Sequence, residues 1–300
     1  MSRVAVIGSS NTDMVVKTSR FPGPGETVLG GEFFMFPGGK GANQAVAAAR
    51  MGADVRFFCV VGDDPFGQQA LAGYAKEGIR TDAIRTEAGT ASGVALITVN
   101  GAGENEIVVA PGANAKLTAE YLSGQAAHLK SAELALAQLE IPLPAIEHLA
   151  RFCRENGIPL ILNPAPARDL PPEVLQGLFG ITPNQSETER LTGIRPNDPG
   201  TAERAAELLS DQGVAHVAIT LGAGGVYYLG PEGRFRLEPP RVKAVDTTAA
   251  GDVFNGVLAA GLAGGLSWRE GLERANRAAA LSVTRMGAQS SAPFLKEIEP

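Results

Sequence analysis

The chain has 300 residues, which is enough for one large α/β domain or for one domain with a small appendage. Its formal net charge of −6 lacks the basic excess that a nucleic-acid partner needs, so we expect no nucleic-acid binding. No targeting pattern precedes the first strand-like run, and the longest weakly polar stretch, 253–266, is too short to span a bilayer. Two widely separated cysteines indicate reduced thiols. We therefore expect a cytoplasmic protein without membrane contact.

Short apolar runs alternate with helix-like stretches along most of the chain. This alternation predicts an α/β fold with a mostly parallel sheet and helices on both faces, a Rossmann-type three-layer arrangement. Ligands of such sheets bind at the carboxyl ends of the strands. The predicted strands are Val4–Ile7, Val55–Val61, Leu134–Leu139, Pro159–Leu162, Gly180–Thr182 and Val214–Leu221, and the predicted helices are Gly41–Met51, Gly67–Glu77, Ala145–Glu155, Thr201–Gln212 and Val253–Leu266.

Two stretches interrupt the alternation, because they contain strand and turn signals but no intervening helix. Asn100-Gly101, between two extended runs, is a hairpin signal. The run Val94–Val99 is apolar on both pleat faces, which indicates either a homodimer through this region or burial of one face against the main domain. We assign 13–36 and 92–110 to a small β-sheet lid and dimerisation domain, and 1–12, 37–91 and 111–300 to an α/β nucleotide- and substrate-binding domain.

Polar residues follow the first predicted strand at the edge where ligands should bind. Asn11, Thr12 and Asp13 lie there, and a short carboxylate can accept two hydrogen bonds from vicinal hydroxyls. An Asx turn is the structural alternative for the same residues. Glu140, at the end of another predicted strand, is a candidate of the same kind.

The segment 37–45 is rich in glycine and contains one lysine. It is not a P-loop, because Gly41 follows Lys40 where that motif requires Ser or Thr. Glycines let the backbone approach a small polar ligand, and Lys40 and Asn43 add directional donors. A helix entry alone would explain the glycines, but it explains the lysine and asparagine less well. The candidate substrate-binding residues of this loop are Gly39, Lys40, Gly41, Ala42 and Asn43.

Two further segments follow later strands. Asn184 and Glu187 are three residues apart and share a face if the segment is helical. A carboxylate there could hold the water shell of Mg²⁺, although a helix-entry signature is an equally ordinary interpretation. The glycine-rich turn 220–225 suits phosphate oxygens or an adenine edge.

The segment 246–256 places Ala249, Ala250 and Gly251 at the N-terminus of the predicted helix Val253–Leu266. Unpaired backbone N–H groups and the positive end of the helix dipole form an anion site at such a terminus. Asp252 lies in the same first turn. Its carboxylate is either a helix cap or a proton acceptor beside the anion site.

Taken together and in this order, these motifs resemble those of the ribokinase-like family of carbohydrate kinases. The resemblance runs from the first strand to about Ser291, which is nearly the whole chain. It implies the ribokinase-like form of the α/β fold, with the small β-sheet as its lid. The segments that carry it are Gly38–Ala45, Asn163–Arg168, Thr182–Asn184 with Glu187, and Asp246–Asp252 with Phe254–Gly256.

The resemblance implies transfer of the ATP γ-phosphoryl group to the 5-hydroxyl of D-ribose, with Mg²⁺. In that chemistry Asp252 accepts the hydroxyl proton, the N–H groups from Ala249 to Asp252 form the anion hole, and Glu187 helps to arrange Mg²⁺. Family members also bind a monovalent cation, usually potassium, beside the anion hole. The positions implied for ribose are Asn11, Thr12, Asp13, Gly39, Lys40, Gly41, Ala42, Asn43, Glu140 and Asp252; for ATP they are Asn184, Thr220, Leu221, Gly222, Ala223, Gly224, Gly225, Gly251, Asp252 and Asn276; for potassium they are Asp246, Thr248, Ser282, Arg285, Gly287 and Ser291.

The chain departs from the family on the adenine side. Many members have a histidine where this chain has Asn276, and the nucleotide turn carries Ala223-Gly224 in place of bulkier residues. Both departures concern the fit of adenine and leave the chemistry of the Asp252 segment unchanged.

Three other functions are compatible with parts of the sequence. A related kinase for deoxyribose, another sugar or a nucleoside would share the Asp252 motif, and only Asp13 and the 39–43 loop favour a free pentose. A sugar-binding protein without activity belongs to a different class, against which the intact Asp252 turn argues. A dinucleotide oxidoreductase is the least favoured, because the turn Gly8–Asn11 lacks the G-x-G-x-x-G pattern.

Overall fold

The predicted apolar runs form the centre of an eight-stranded sheet in the computed structural model, which describes residues 2–298. Met1, Glu299 and Pro300 belong to the predicted α/β domain but lie outside the described residues. The strands are β1 (Arg3–Ile7), β2 (Asn11–Lys17), β3 (Glu32–Gly38), β4 (Asp54–Phe58), β5 (Val60–Gly62), β6 (Arg85–Glu87), β7 (Gly93–Val99), β8 (Asn105–Ala110), β9 (Leu134–Ala137), β10 (Leu160–Leu162), β11 (Gly180–Ile181), β12 (His216–Thr220), β13 (Val226–Gly230) and β14 (Gly233–Leu237).

The main sheet has the strand order β14-β13-β12-β11-β10-β9-β1-β4. All pairs from β4 to β12 are parallel, and the β13–β14 hairpin extends the sheet antiparallel at one side. No helix within residues 2–298 combines the length and apolar character needed to cross a membrane. The helices are α1 (Lys40–Arg50), α2 (Pro65–Lys76), α3 (Ala119–Gly124), α4 (Ala126–Lys130), α5 (Leu143–Asn156), α6 (Pro172–Leu175), α7 (Gln185–Thr192), α8 (Pro199–Asp211), α9 (Ala250–Ala263), α10 (Trp268–Ser282) and α11 (Leu295–Ile298).

The main sheet separates two hydrophobic cores. Val4 and Val6 of β1 belong to the core that contains α1, α9 and α10, whereas Ala5 and Ile7 belong to the core that contains α3, α5 and α8. This division follows from the pleat, since successive side chains of a strand point to opposite faces. The prediction of a mostly parallel sheet with helices on both faces is confirmed.

A second sheet of four strands has the order β3-β2-β7-β8. Its two central strands run parallel, and each edge strand pairs antiparallel with its neighbour. The hairpin signal at Asn100-Gly101 falls between β7 and β8, as the sequence predicts. Because β2 starts at Asn11 and β3 ends at Gly38, this sheet extends beyond both ends of the predicted segment 13–36.

One predicted strand is wrong in extent. The run Val55–Val61 is divided at Cys59 into β4, which stays in the main sheet, and β5, which pairs with β6 in a separate parallel sheet. The Cys59 carbonyl accepts a hydrogen bond from the Arg85 N–H at 3.1 Å, at the start of β6. An unbroken apolar run gives no sign of such a division, because both halves are buried.

Other boundaries also differ from the predicted ones, and several elements are absent from the prediction. Helix α9 begins at Ala250 and ends at Ala263 instead of spanning 253–266; Gly265 lies just beyond its end with φ of 89°. Glu140 does not end a strand, because β9 stops at Ala137 and Glu140 lies in the following loop. The sequence analysis predicts neither the β13–β14 hairpin nor α10.

Close packing of α1 against α9 brings the two main motifs of the sequence together. A Cβ atom at Gly256 would lie 2.4 Å from the carbonyl oxygen of Gln44, so only glycine allows α9 to approach α1 this closely. One turn before Gly256, Asp252 therefore faces the first turn of α1. The fold thus places the glycine-lysine loop beside the Asp252 turn, although more than 200 residues separate them.

Candidate active site

Asp252 is a buried carboxylate in the first turn of α9, with 4% of its surface exposed. Its Oδ2 accepts a hydrogen bond from Asn43 Nδ2 at 2.9 Å, and its Oδ1 accepts one from Gln44 Nε2 at 3.0 Å. Burial raises the pKa of Asp252, while the positive charge of Lys40 and the two amide donors oppose that rise. The residue at the N-cap of α9 is Ala249, and no side chain caps the helix there. The geometry therefore favours a proton acceptor over a helix cap.

The backbone before Asp252 is held in a strained conformation. Ala249 has φ of 58°, and it is the only non-glycine residue with positive φ among residues 2–298. Such a conformation costs on the order of 1–3 kcal/mol and concentrates at functional sites. It turns the chain into α9 so that the first N–H groups of the helix, which have no partner within the helix, lie at its open end.

A cavity of about 190 Å³ lies against this helix terminus. A Cβ atom built on Gly251 would meet no atom within 4 Å, so packing does not require glycine at this position. The space above Gly251 is instead open to the cavity, next to the first N–H groups of α9, of which that of Ala250 donates to the Thr247 carbonyl at 3.3 Å. The sequence-predicted residues that line this cavity are Lys40, Asn184, Glu187, Thr220, Ala249, Ala250, Gly251 and Asp252.

The glycine loop before α1 is shaped by contacts that exclude side chains. Gly39 has φ of 88°, and a Cβ atom there would lie 2.7 Å from the Asn11 backbone nitrogen. A Cβ atom at Gly38 would lie 2.3 Å from the carboxylate oxygens of Asp13. The loop therefore folds directly onto the Asn11–Asp13 segment, as the sequence analysis predicts for a shared site. Ala42 also contacts this region, since its N–H donates to the Ser9 carbonyl at 2.9 Å.

Lys40 lies among four carboxylates and forms no direct ion pair within residues 2–298. The negative charge of Asp252 is the largest cause of its raised pKa, and those of Glu140, Glu187 and Asp13 add to it. The backbone N–H of Lys40 donates to Glu140 Oε2 at 3.0 Å, which fixes Glu140 against the loop. The Lys40 ammonium is therefore held charged, with donors free for a ligand.

Two carboxyl groups near Lys40 have strongly raised pKa values. Burial, with the charges of Glu140 and Asp252, raises the pKa of Asp13 to about 6. Burial raises the pKa of Glu187 to about 7, although its hydrogen bond from the Asn184 backbone opposes this. A cluster with four acids and one base would be relieved by a ligand that brings hydroxyl donors or cations.

On the sugar side, Asn114 orients the side chain of Asn11, and Asn43 is left with one unpaired atom. Asn114, which is 1% exposed, accepts a hydrogen bond from the Ser10 N–H and donates Nδ2 to Asn11 Oδ1 at 2.7 Å. The amide nitrogen of Asn11 is thereby turned away from Asn114. The Oδ1 atom of Asn43 is buried without a hydrogen-bond partner in the described part of the chain. A buried acceptor without a partner is uncommon, and a ligand hydroxyl would satisfy it.

The nucleotide-side residues divide into two groups. The backbones of Asn184 and Thr220 pair in an isolated parallel β-bridge, and both residues line the cavity. Asn184 is also the N-cap of α7 and forms a reciprocal capping box with Glu187. The turn 221–225 and Asn276 lie outside the cavity lining; Gly222 and Ala223 are exposed, and Asn276 Nδ2 donates to the Leu237 carbonyl at 3.4 Å.

The residues suggested for a monovalent cation lie at the end of α10, which is Ser282, and on two loops that Asp246 joins. Its Oδ1 accepts the Thr248 N–H at 2.9 Å, and its Oδ2 accepts the Gly287 N–H at 2.8 Å. The Arg285 N–H donates to the Ser282 carbonyl at 3.0 Å. The Ser291 hydroxyl donates to the carbonyl of Ala288, the residue after Gly287, at 2.8 Å. No group of three or more acidic, histidine or cysteine residues within 2–298 forms a metal cage.

Several buried polar residues at the site are absent from the predicted set. Thr182 donates to Asn255 Oδ1, and Asn255 Nδ2 donates in turn to the Gly251 carbonyl at 2.8 Å. Gln44 lies on α1 among alanines and a valine, and it is fully buried. A glutamine within such an apolar helical run was the available signal. The unpredicted residues at the site are Gln44, Gln138, Asn163, Ala165, Thr182, Thr247 and Asn255.

The fold and this site define an α/β enzyme of the sugar-kinase class. The model of the family described as pfkB family carbohydrate kinase matches residues 1–295. The chain is 42% identical to a ribokinase of Haemophilus influenzae over 98% of this chain and 96% of that protein. A deoxyribokinase of Salmonella typhi is 36% identical over 98% of this chain and 96% of that protein.

A solved structure agrees with these relatives. The structure of Arabidopsis thaliana ribokinase complexed with ribose and ATP matches with a TM-score of 0.93 at 30% identity, covering 99% of this chain and 97% of that chain. The present chain therefore belongs to the pfkB family of carbohydrate kinases.

The open space above Gly251 leads to a prediction. Gly251→Ala places a methyl group in the cavity without contacting other protein atoms, so the free energy of unfolding should not fall. Turnover should drop by about 10²-fold, the effect of misplacing a reacting group by roughly 1 Å. Thermal unfolding and a kinase assay measure the two effects. Gly73→Ala in α2, where a methyl group also meets nothing within 4 Å, is the matched control and should keep full turnover.

Proposed function

We propose that the protein phosphorylates D-ribose at its 5-hydroxyl with ATP, giving D-ribose 5-phosphate and ADP. The observation that carries this proposal is the position of the buried Asp252 carboxylate, which shares one cavity with the open N-terminus of α9 and with Lys40. A proton acceptor thus lies beside an anion site. The ribokinase relatives, including one structure with ribose and ATP, support the choice of sugar.

On the sugar side, the chain offers directional partners for several hydroxyl groups. The carboxylates of Asp13 and Glu140 accept hydrogen bonds, Lys40 donates, and the unpaired Asn43 Oδ1 accepts one more. Asn11 presents the amide nitrogen that Asn114 leaves free. These partners would place the 5-hydroxyl against Asp252. The proposed ribose site also includes Thr12 on β2 and the backbone of Gly39, Gly41 and Ala42 in the glycine loop.

On the phosphate side, the chain supplies charge stabilisation without covalent chemistry. The N–H groups of Ala249, Ala250, Gly251 and Asp252 would receive the negative charge that develops on the transferred group. One donor of this kind contributes on the order of 3 kcal/mol to the lowering of a barrier. Asp252 would accept the proton of the 5-hydroxyl, which typically contributes about 10²–10⁴-fold.

The nucleotide would extend from the cavity along the carboxyl edge of the main sheet. Asn184 and Thr220 line the cavity and would contact the phosphates. The turn from Leu221 to Gly225 and the buried Asn276 would face the adenosine, and Arg236 braces this turn by donating to the Gly224 carbonyl at 2.9 Å. This arrangement is an expectation for each of these residues.

An ATP-dependent kinase uses Mg²⁺, and the residues present fit that ion. Glu187 is a buried carboxylate that lines the cavity, and burial raises its pKa to about 7. A cation bound beside it would favour its ionised form. The lack of a cage of several acidic residues within 2–298 suits Mg²⁺, which keeps several waters and shares substrate phosphates. When bound, the ion would neutralise phosphate charge.

We assign the segments 13–36 and 92–110, which contain most of the second sheet, to a lid over the sugar. Asp13 on β2 faces the site, because the charges of Glu140, Asp252 and Lys40 are close enough to shift its pKa. A lid in this place would exclude water and so limit ATP hydrolysis.

Use of ATP and two buried free cysteines also fit the expected cytoplasmic location.

The test of the proposed function is ADP release measured with a panel of possible acceptors. D-ribose should give the highest kcat/KM, with 2-deoxyribose, other pentoses and nucleosides clearly lower. Preference for deoxyribose or a nucleoside would transfer the proposal to that substrate, which matters because a deoxyribokinase is among the relatives. No ADP release above background with any acceptor, together with saturable ribose binding, would indicate a sugar-binding protein instead.

The role of Asp252 gives the second prediction. Asp252→Asn keeps the size of the side chain and should fold and bind ribose, but its turnover should fall by about 10²–10⁴-fold because the proton acceptor is lost. Isothermal titration with ribose and the ADP-release assay separate binding from turnover. Asp211→Asn, at the exposed end of α8, is the control. Near-normal turnover of Asp252→Asn would remove Asp252 from the mechanism.

We further propose that a monovalent cation, potassium, binds where Asp246 joins the loops of Thr248 and Gly287. Oxygen atoms of Ser282, Arg285 and Ser291 would complete the site. This site lies just before Ala249, so its occupancy would keep the strained turn into α9 in place.

The cation proposal predicts that turnover rises when KCl replaces LiCl at constant ionic strength. Asp246→Ala should remove this response, because the tie between the two loops is lost. Wild-type and variant rates in the two salts measure it. Equal rates in KCl and LiCl for the wild type would contradict the proposal.

A homodimer through the lid is the final part of the proposal. Met35, Leu96 and Val108 lie in one row across the second sheet, joined through Met14, and they are 46%, 53% and 67% exposed. This row lies on the face opposite Asp13, since Met14 follows Asp13 in the pleat. An exposed apolar sheet face of this kind marks an interaction surface.

The dimer proposal predicts a solution mass of twice the 31.1 kDa of the chain. Leu96→Glu should convert the dimer to a monomer by placing a charge in the interface. Light scattering coupled to size exclusion measures the mass. Leu208→Glu, at an exposed leucine of α8, should leave the dimer intact. A monomeric wild type at micromolar concentration would contradict this proposal.

A further inference from the structure

Buried side-chain amides form a hydrogen-bonded series that reaches Asp252. Gln44 and Gln138 are fully buried, and Asn163, which is 6% exposed, also lines the cavity. Gln44 does not line the cavity, so it has no direct access to a ligand there. Its Nε2 atom nevertheless donates to Asp252 Oδ1 at 3.0 Å.

The direction of the hydrogen bonds between these side-chain amides follows from one backbone carbonyl. The Thr182 carbonyl can only accept, so Asn163 must turn its Nδ2 atom toward it, at 3.2 Å. Asn163 Oδ1 then faces Gln44 and accepts its Nε2 atom at 3.1 Å. Gln44 consequently turns its Oε1 atom the other way, where it accepts Gln138 Nε2 at 2.6 Å.

A rotated Gln44 amide would be opposed at two points, because its Oε1 atom would face the oxygens of Asp252 and Asn163. Gln138 adds no further constraint, because its own Oε1 atom has no partner in the described residues and its amide could turn with that of Gln44. Asn43 differs, because it also donates to Asp252 but its Oδ1 atom has no partner in the described residues. The protein alone therefore fixes the Gln44 donor, whereas the orientation of Asn43 depends on a ligand as well.

We propose that Gln44 is a positioning residue, whose amide, locked by Asn163, holds the Asp252 carboxylate in place from outside the cavity. A fixed N–H donor favours the ionised form of Asp252, which the surroundings otherwise oppose. Burial and the carboxylates of Asp13, Glu140 and Glu187 disfavour ionisation, and among the charged groups of the described residues that face Asp252, Lys40 alone favours it. Gln44 thus supports the group that must accept a proton. The inference rests on the proposed function only in giving Asp252 that task.

The test measures the ionisation of Asp252 directly, without relying on activity. Protein labelled with ¹³C at the aspartate carboxyl carbons is titrated by NMR, and the signal missing from Asp252→Asn identifies Asp252. In Gln44→Met the midpoint of Asp252 should move upward by about one pH unit, the effect of losing a hydrogen bond to a charged group. Val46→Ala truncates a fully buried neighbour on α1 and should leave the midpoint unchanged.

A second variant covers the case in which Gln44→Met does not fold. Gln44→Glu keeps the shape and still accepts from Gln138, but it presents an oxygen to Asp252, so the midpoint should rise further than in Gln44→Met. In kinetics with ribose, the acidic limb of the plot of kcat against pH should also move to higher pH. The KM for ribose should change by less than about twofold. An unmoved Asp252 midpoint in either folded variant overturns the inference, as does lower kcat with an unshifted limb.

The two proposals fail in different ways. If the wild type releases no ADP with ribose, the proposed function fails, while the NMR titration still decides whether Gln44 holds Asp252 in its ionised form.

Discussion

The site depends on keeping one buried carboxylate charged. Asp252 is buried and lies near three other acids, and each of these conditions favours its protonated form. The Lys40 charge and two amide donors act in the opposite sense. This balance explains why the motif that contains Lys40 and Asn43 must meet the motif that contains Asp252. Each motif is incomplete without the other.

The fold meets that requirement through the close contact of α1 and α9. Gly256 lets the two helices approach, and the strained Ala249 ends the preceding loop so that α9 opens onto the cavity. The carboxyl edge of the parallel sheet then adds Thr182, Thr220 and the Asn184 cap around the same space. Structural stability and the chemistry are linked here, because both helices also pack into one of the two hydrophobic cores.

Much of this arrangement could be predicted from the sequence. The alternation of apolar runs and helical stretches gives the parallel sheet, because both patterns are local and strongly periodic. The glycines around Lys40 and the small residues before Asp252 indicate close backbone approaches, and the structure brings both segments to one cavity. The segment before Asp252 directly follows no strand in the structure, since β14 ends at Leu237, so its place beside Lys40 comes from the packing of α1 against α9.

Other parts could not be predicted, for physical reasons. The division at Cys59 lies within a uniformly buried run, and the β13–β14 hairpin depends on tertiary pairing with β12. The amides of Gln44, Gln138 and Asn163 act through contacts between residues far apart in the chain, so no local pattern reveals those contacts, although a glutamine within the apolar run of α1 is an unusual feature of the sequence. Glu187 shows the opposite difficulty: its local capping role is readable in the sequence, but its burial and raised pKa are not.

The account's central claim is that a sugar alcohol and a terminal phosphate meet between Asp252 and the start of α9. A crystal structure with D-ribose and a non-hydrolysable ATP analogue tests it most directly. The account predicts the 5-hydroxyl oxygen within about 2.6–3.2 Å of an Asp252 carboxylate oxygen, with the terminal phosphate against the N–H groups of residues 249–252. A sugar whose 5-hydroxyl points away from Asp252, or a phosphate chain bound elsewhere, would contradict it.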